Sequence, residues 1–113
     1  MNFTLKEYDD VVVVEIEGNI LQENVDVLKG RFYDLIDKGK TRIVLNMAKS
    51  NYVSSLCLAV IVDVKNRLAL LDGDLKISNV NRLIRNLLEI TNLVKKINIF
   101  ETTEEAVAAF QNA

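Results

Sequence analysis

The segment "LCLAVIVDVKNRLALLDG", Leu56 to Gly73, is too long to be a single strand. Leu58, Ile61, Val62, Lys65, Leu68 and Ala69 fall on one helical stripe, which predicts a helix largely buried at its start. Short runs stand on either side. "RIVLNM" (Arg42 to Met47) is continuously apolar, as expected of a central strand covered on both faces. "LKIS" (Leu75 to Ser78) alternates and reads as another strand. A strand, a buried helix and a second strand in succession imply a right-handed crossover in a parallel sheet.

The rest of the chain extends this pattern. "NFTLKEY" alternates, and "VVVVEIEG" follows after Asp9 and Asp10, so the two predict an antiparallel hairpin. From Glu23 to Lys38, Val25, Leu28, Phe32, Leu35 and Ile36 recur at helical spacing, and Gly39 marks a C-terminal stop. Leu83, Ile84, Leu87 and Leu88 give an amphipathic helix, and "INIF" (Ile97 to Phe100) a short strand. Thr102 and Glu105 have the spacing of a capping box and open a last helix through Val107 and Phe110. The expected order is β-β-α-β-α-β-α-β-α: one α/β domain over 1–113, with a four- to five-stranded mixed sheet and about four helices. In such sheets the loops at the carboxyl ends of the parallel strands form the functional edge. The loop from Ala48 to Ser54 lies there.

Composition removes several classes of function. The chain has 113 residues, one cysteine and no histidine. That excludes an internal disulfide, a Cys₂His₂-type zinc site, a Ser-His-Asp triad and a Cys-His dyad. A net charge of -2 argues against nucleic-acid binding; Arg82, Arg85, Lys95 and Lys96 form only a loose basic set, expected at solvated helix ends. The N-terminus "MNFTLKEYDD" lacks the basic and apolar regions of a signal peptide. The longest apolar run is far too short to span a bilayer. A cytoplasmic protein is expected. Asp72-Gly73-Asp74 reads as a turn, and Asp63 and Lys65 as the solvated side of the long helix.

"YVSSLCLAV", Tyr52 to Val60, is where chemistry would sit. If the helix begins near Ser55, then Ser54 or Ser55 is its N-cap, accepting from a free N–H of the first turn. The same helix end tolerates an added phosphate, which would put about two negative charges on the surface and expel a partner. Sequence pattern alone does not choose between cap and switch. Cys57 reads either as a thiol activated at a helix N-terminus or, more often for such a residue, as a small apolar core side chain.

This stretch resembles the signature of STAS-domain anti-sigma factor antagonists, D-L-S-x-V-x-Y/F-M-D-S-S/A-G-L-G-V. "NMAKSNYVSSLCLAV" aligns to it without a gap. Tyr52 meets the aromatic, Val53 the methionine, and Ser55 the phosphorylated serine. "VVVVEIEGNI" is similar to the family's second strand and turn, and "NLLEITNLVKKINIFETTEEAVAAF" to its closing helix, strand and helix. The chain departs from the pattern at Asn46 and Ser54, which stand for aspartates, at Leu56, and at Cys57 and Ala59, which stand for glycines. Leu21 replaces an acid common after the G-x-I turn.

The resemblance implies a protein-binding switch, not an enzyme. The partner would be an anti-sigma factor of the serine-kinase type, and binding would release the sigma factor. Phosphorylation of Ser55 would end the binding. Asn19, Tyr52, Ser54, Ser55 and Cys57 are the expected contact surface. No cofactor or metal is called for, and a monomer or weak dimer is expected. The competing expectation is a STAS scaffold or ligand-sensing subunit whose degenerate motif is not phosphorylated.

Overall fold

The computed structural model describes residues 1–112. Five strands form one sheet in the order β1-β2-β3-β4-β5. β1 (Asn2–Tyr8) and β2 (Val11–Glu17) are the antiparallel hairpin, turned at Asp9, whose φ of 58° is left-handed. β3 (Arg42–Lys49), β4 (Asp74–Ser78) and β5 (Ile99–Phe100) continue the sheet parallel to β2. α1 (Val25–Asp37), α2 (Ser55–Ala69), α3 (Arg82–Ile90) and α4 (Thr103–Gln111) alternate with the strands. The expected element order and mixed sheet are those observed.

The run Val11 to Val14 is buried throughout because β2 is covered on both sides. Val12, Val14 and Ile16 face the main core, which holds the apolar sides of α1, α2 and α3. Val11 and Val13, with Val44 of β3, face Ala106, Val107 and Phe110 of α4. Three helices therefore share one sheet face and the last helix covers the other. The side chains of a strand alternate between its two faces, so the Val11–Val14 run of β2, held between two layers, is apolar on both. β1 forms one edge, and all its residues keep contact with solvent.

Several boundaries shift for physical reasons. The Glu23–Lys38 segment starts as a 3₁₀ turn (Gln22–Asn24) before α1, and ends at Gly39, whose φ of 79° releases the chain toward β3. β5 keeps only Ile99 and Phe100, because Ile97 leaves the ladder and packs into the core. In α2 the predicted stripe is displaced. Leu58, Ile61 and Leu68 are buried as expected, but Ala69 is exposed, and Cys57, Val60 and Val64 join the core. α1 packs against α2, and Cys57 and Val64 lie in the core the two helices share with the sheet.

Asp63 and Lys65, expected on a merely solvated side, tie elements together. Asp63 accepts the Tyr33 hydroxyl at 2.5 Å and pairs with Arg67, whose guanidinium lies over the Tyr33 ring. Lys65 pairs with Asp74 at the start of β4. Gly73 is required before it, since a Cβ there would lie 2.0 Å from the Thr41 carbonyl oxygen. The turn reading of Asp72-Gly73-Asp74 holds, with Asp72 left-handed at φ 60°.

Candidate functional site

β2 and β3 part company beyond Glu15, where their register shifts. They then meet again outside the regular ladder. Gly18, at φ 102°, donates its N–H to the Lys49 carbonyl at 3.0 Å. The Ile20 N–H donates to the Tyr52 carbonyl at 3.0 Å, and the Ser54 N–H donates to the Ile20 carbonyl at 2.8 Å. Ile20 and Val53 form a parallel bridge with both side chains buried. These bonds weld the turn after β2 to the segment before α2. They put Asn19 on the same surface as the Tyr52–Ser55 segment.

Two further side chains brace this segment. Buried Ser50 donates its hydroxyl to the Ile16 carbonyl at 2.9 Å. Asn81 caps α3 by accepting from the Ile84 N–H at 2.8 Å, while its amide donates to the Asn51 carbonyl at 3.1 Å. Neither residue was singled out from sequence. Their signal was a lone hydroxyl or amide beside an apolar run, which is common in loops and points to no particular partner.

The ambiguity over the serines resolves into two roles. Ser54 is the N-cap: its backbone is extended (φ -75°, ψ 160°), and its Oγ accepts from the Cys57 N–H at 3.2 Å. Ser55 is the first helical residue and is exposed. Among the described residues its hydroxyl has no hydrogen-bond partner. A group attached to that oxygen would project into solvent beside the free donors and positive pole of α2.

The remaining candidates divide by burial. Asn19 and Tyr52 are exposed, and Ser54 is half-buried. Cys57 is corrected: it is 0% exposed, packed in the main core, and cannot meet a partner. Burial disfavours its thiolate and pushes the thiol up to about 12, which also removes the activated-thiol reading. The helix dipole is outweighed here because the side chain points into the sheet.

Asn46 lies at the carboxyl end of β3, on the α4 side. It donates to Glu15 at 3.3 Å and accepts from Asn79 at 3.0 Å and from the Ala48 N–H. Asn79 in turn donates to Thr103 at 2.8 Å. A polar depression of about 300 Å³ opens there, lined by Lys6, Glu15, Asn46, Asn79 and Thr103 among others. It includes none of Asn19, Tyr52, Ser54 or Ser55, so the welded junction and this depression are separate places. Beside it, the Glu15 carboxylate holds the Lys49 ammonium above its ordinary range, by hydrogen bond first and charge second.

No helix among the described residues is long and apolar enough to cross a membrane. Comparison with known proteins gives a consistent picture. A relative from Bordetella bronchiseptica, named "Putative anti-sigma factor antagonist BtrV", is 26% identical over 113 residues, which is 100% of this chain and 97% of that protein. A crystal structure from Thermotoga maritima, described as "a putative anti-sigma factor antagonist", superposes with a TM-score of 0.91 at 27% identity. The match covers 95% of this chain and 92% of that one. The Bacillus protein SpoIIAA, in its phosphorylated form, shares the fold at a TM-score of 0.76 and 19% identity, over 96% of this chain and 99% of its own. The family model described as STAS domain matches residues 2–106. With that match over nearly its whole length, and with the fold just described, the chain belongs to the STAS domain family.

Proposed function

We propose that this protein is an anti-sigma factor antagonist, a regulatory binding protein of the cytoplasm and not a catalyst. It binds an anti-sigma factor through the surface carrying Asn19, Tyr52, Ser54 and Ser55, and so releases the sigma factor. The partner is of the serine-kinase type. Its phosphorylation of Ser55 ends the complex.

One observation carries this reading. Of the two adjacent serines, Ser54 already satisfies the helix cap, and Ser55 keeps a free, exposed hydroxyl at the first position of α2. A phosphate there is compatible with the fold, because a helix N-terminus favours negative charge. It changes the surface without breaking the Ser54–Cys57 bond. The named relatives support the antagonist role, and SpoIIAA, which shares the fold, is described in a phosphorylated form.

The test is a kinase assay with the purified serine-kinase-type anti-sigma factor of the same genome and ATP. The expected result is one phosphate, located on Ser55 by mass spectrometry and absent from Ser55→Ala. A phosphate elsewhere, or none, refutes the switch. Antagonism itself is read separately, by displacement of the sigma factor from the anti-sigma factor.

A further inference from the structure

Resting on that reading, we propose that the partner docks on an uncharged apolar patch anchored by Leu21 and Leu56. Apolar burial, not ion pairing, then holds the complex. Phosphorylation of Ser55 ends it by placing charge where the interface has nothing to pair with it.

The patch is visible in chain and fold together. Gly18 to Gln22 and Ser50 to Val62 contain no Asp, Glu, Lys or Arg. The hydrogen bonds between Ile20 and both Tyr52 and Ser54 bring the exposed residues Asn19, Leu21, Tyr52, Ser55 and Leu56 onto one surface, while Cys57, Leu58, Val60 and Ile61 turn into the core. Three large apolar side chains stand out from it: Leu21 is 42% exposed, Tyr52 42% and Leu56 45%. Leu21 directly follows the Ile20 bridge, and Leu56 directly follows Ser55 on the first turn of α2. Single exposed leucines are ordinary on a protein surface, whereas several on one braced surface mark an interaction site. The charged residues bordering the two stretches in sequence are Glu17, Glu23, Lys49 and Asp63, and exposed Arg82 follows Asn81, which is bonded to Asn51; these supply the polar rim.

Charge and continuity select the occupant. A partner face bearing a charge over Leu21 or Leu56 would be desolvated with no counter-ion, at a substantial cost. The face that fits is uncharged and apolar, and it is the face of the partner that also reaches Ser55. A phosphate on Ser55 is then excluded by desolvation as well as by shape. That differs from long-range repulsion, which salt would screen.

The experiment measures affinity for the purified serine-kinase-type anti-sigma factor from about 0.05 to about 0.5 M salt. Wild type, Leu21→Ala, Leu56→Ala and the rim variant Glu23→Gln are compared. The expected result is a Kd for wild type that moves by less than about threefold across this range. Each leucine variant should bind about tenfold weaker or more, and Glu23→Gln within about threefold of wild type. Unchanged thermal midpoints confirm that the exposed leucines were not needed for folding. Leucine variants that bind like wild type, or a wild-type affinity that falls more than about tenfold with salt, overturn the proposal. Wild type that fails to bind at every salt concentration instead refutes the antagonist reading, and this proposal with it.

Discussion

The backbone N–H of Ser54 donates to the carbonyl of Ile20 at 2.8 Å, across a gap of more than thirty residues in sequence. This bond, with its neighbour from Ile20 to Tyr52, makes one rigid surface out of two loops. It fixes Ser54 as the cap before α2 and leaves the hydroxyl of Ser55, the first helical residue, exposed. The division of labour between the serines leads to a stability difference.

Ser54→Ala removes the acceptor of the Cys57 N–H and should destabilise the protein by about 1 kcal/mol, as loss of an N-cap does. Ser55→Ala should change stability by less than about 0.5 kcal/mol, because its hydroxyl is exposed and unpaired. Urea denaturation of both variants checks this. Equal losses would mean that the cap role is shared.

Cys57 should be inert in the folded state. Its side chain is buried among core residues and its thiol titrates near 12. At pH 8 the native protein should react with an aromatic disulfide reagent only at the rate of unfolding, and the denatured protein at once. Fast labelling of native protein would contradict the burial.

Asp74 links the long helix to β4. Burial by itself would raise its carboxyl, but the Lys65 ammonium, the Leu75 N–H and Lys76 together outweigh that, and it titrates below the ordinary carboxylate range. A depressed native pKa stabilises the fold above the unfolded value, and that contribution is lost as pH falls through the native one. Asp74→Asn should therefore be less stable than wild type at pH 7, by about 1 kcal/mol. The two should converge as pH drops from about 5 toward 2. Denaturant curves across that range read the difference; a gap that stays constant would dissociate Asp74 ionisation from stability.

Periodicity and punctuation made most of this fold legible. Gly39 ends α1 and Thr102 caps α4 where their sequence context indicates, and the strand–helix alternation sets the parallel sheet. Contacts distant in sequence were not legible. The Ser50–Ile16 and Asn81–Asn51 bonds join residues about thirty positions apart, and no local pattern encodes them. Cys57, Val60 and Val64 also face the core, so the buried side of α2 is rotated from the stripe that periodicity indicates. Asp63 and Lys65 looked solvated because Tyr33 and Asp74 approach them only in the fold. At the candidate site, the junction and its serines were legible, while the assignment of cap to Ser54 and free hydroxyl to Ser55 needed the backbone geometry.

The central claim is that Ser55 is the switch, and one affinity measurement tests it most directly. The protein is phosphorylated by the serine-kinase-type anti-sigma factor, repurified, and titrated against the same partner beside the unmodified protein and Ser55→Asp. The account predicts that phosphorylated protein binds at least about a hundredfold more weakly, and that Ser55→Asp follows it in direction. Equal affinity for all three forms would contradict the account and leave a constitutive binder on the same fold.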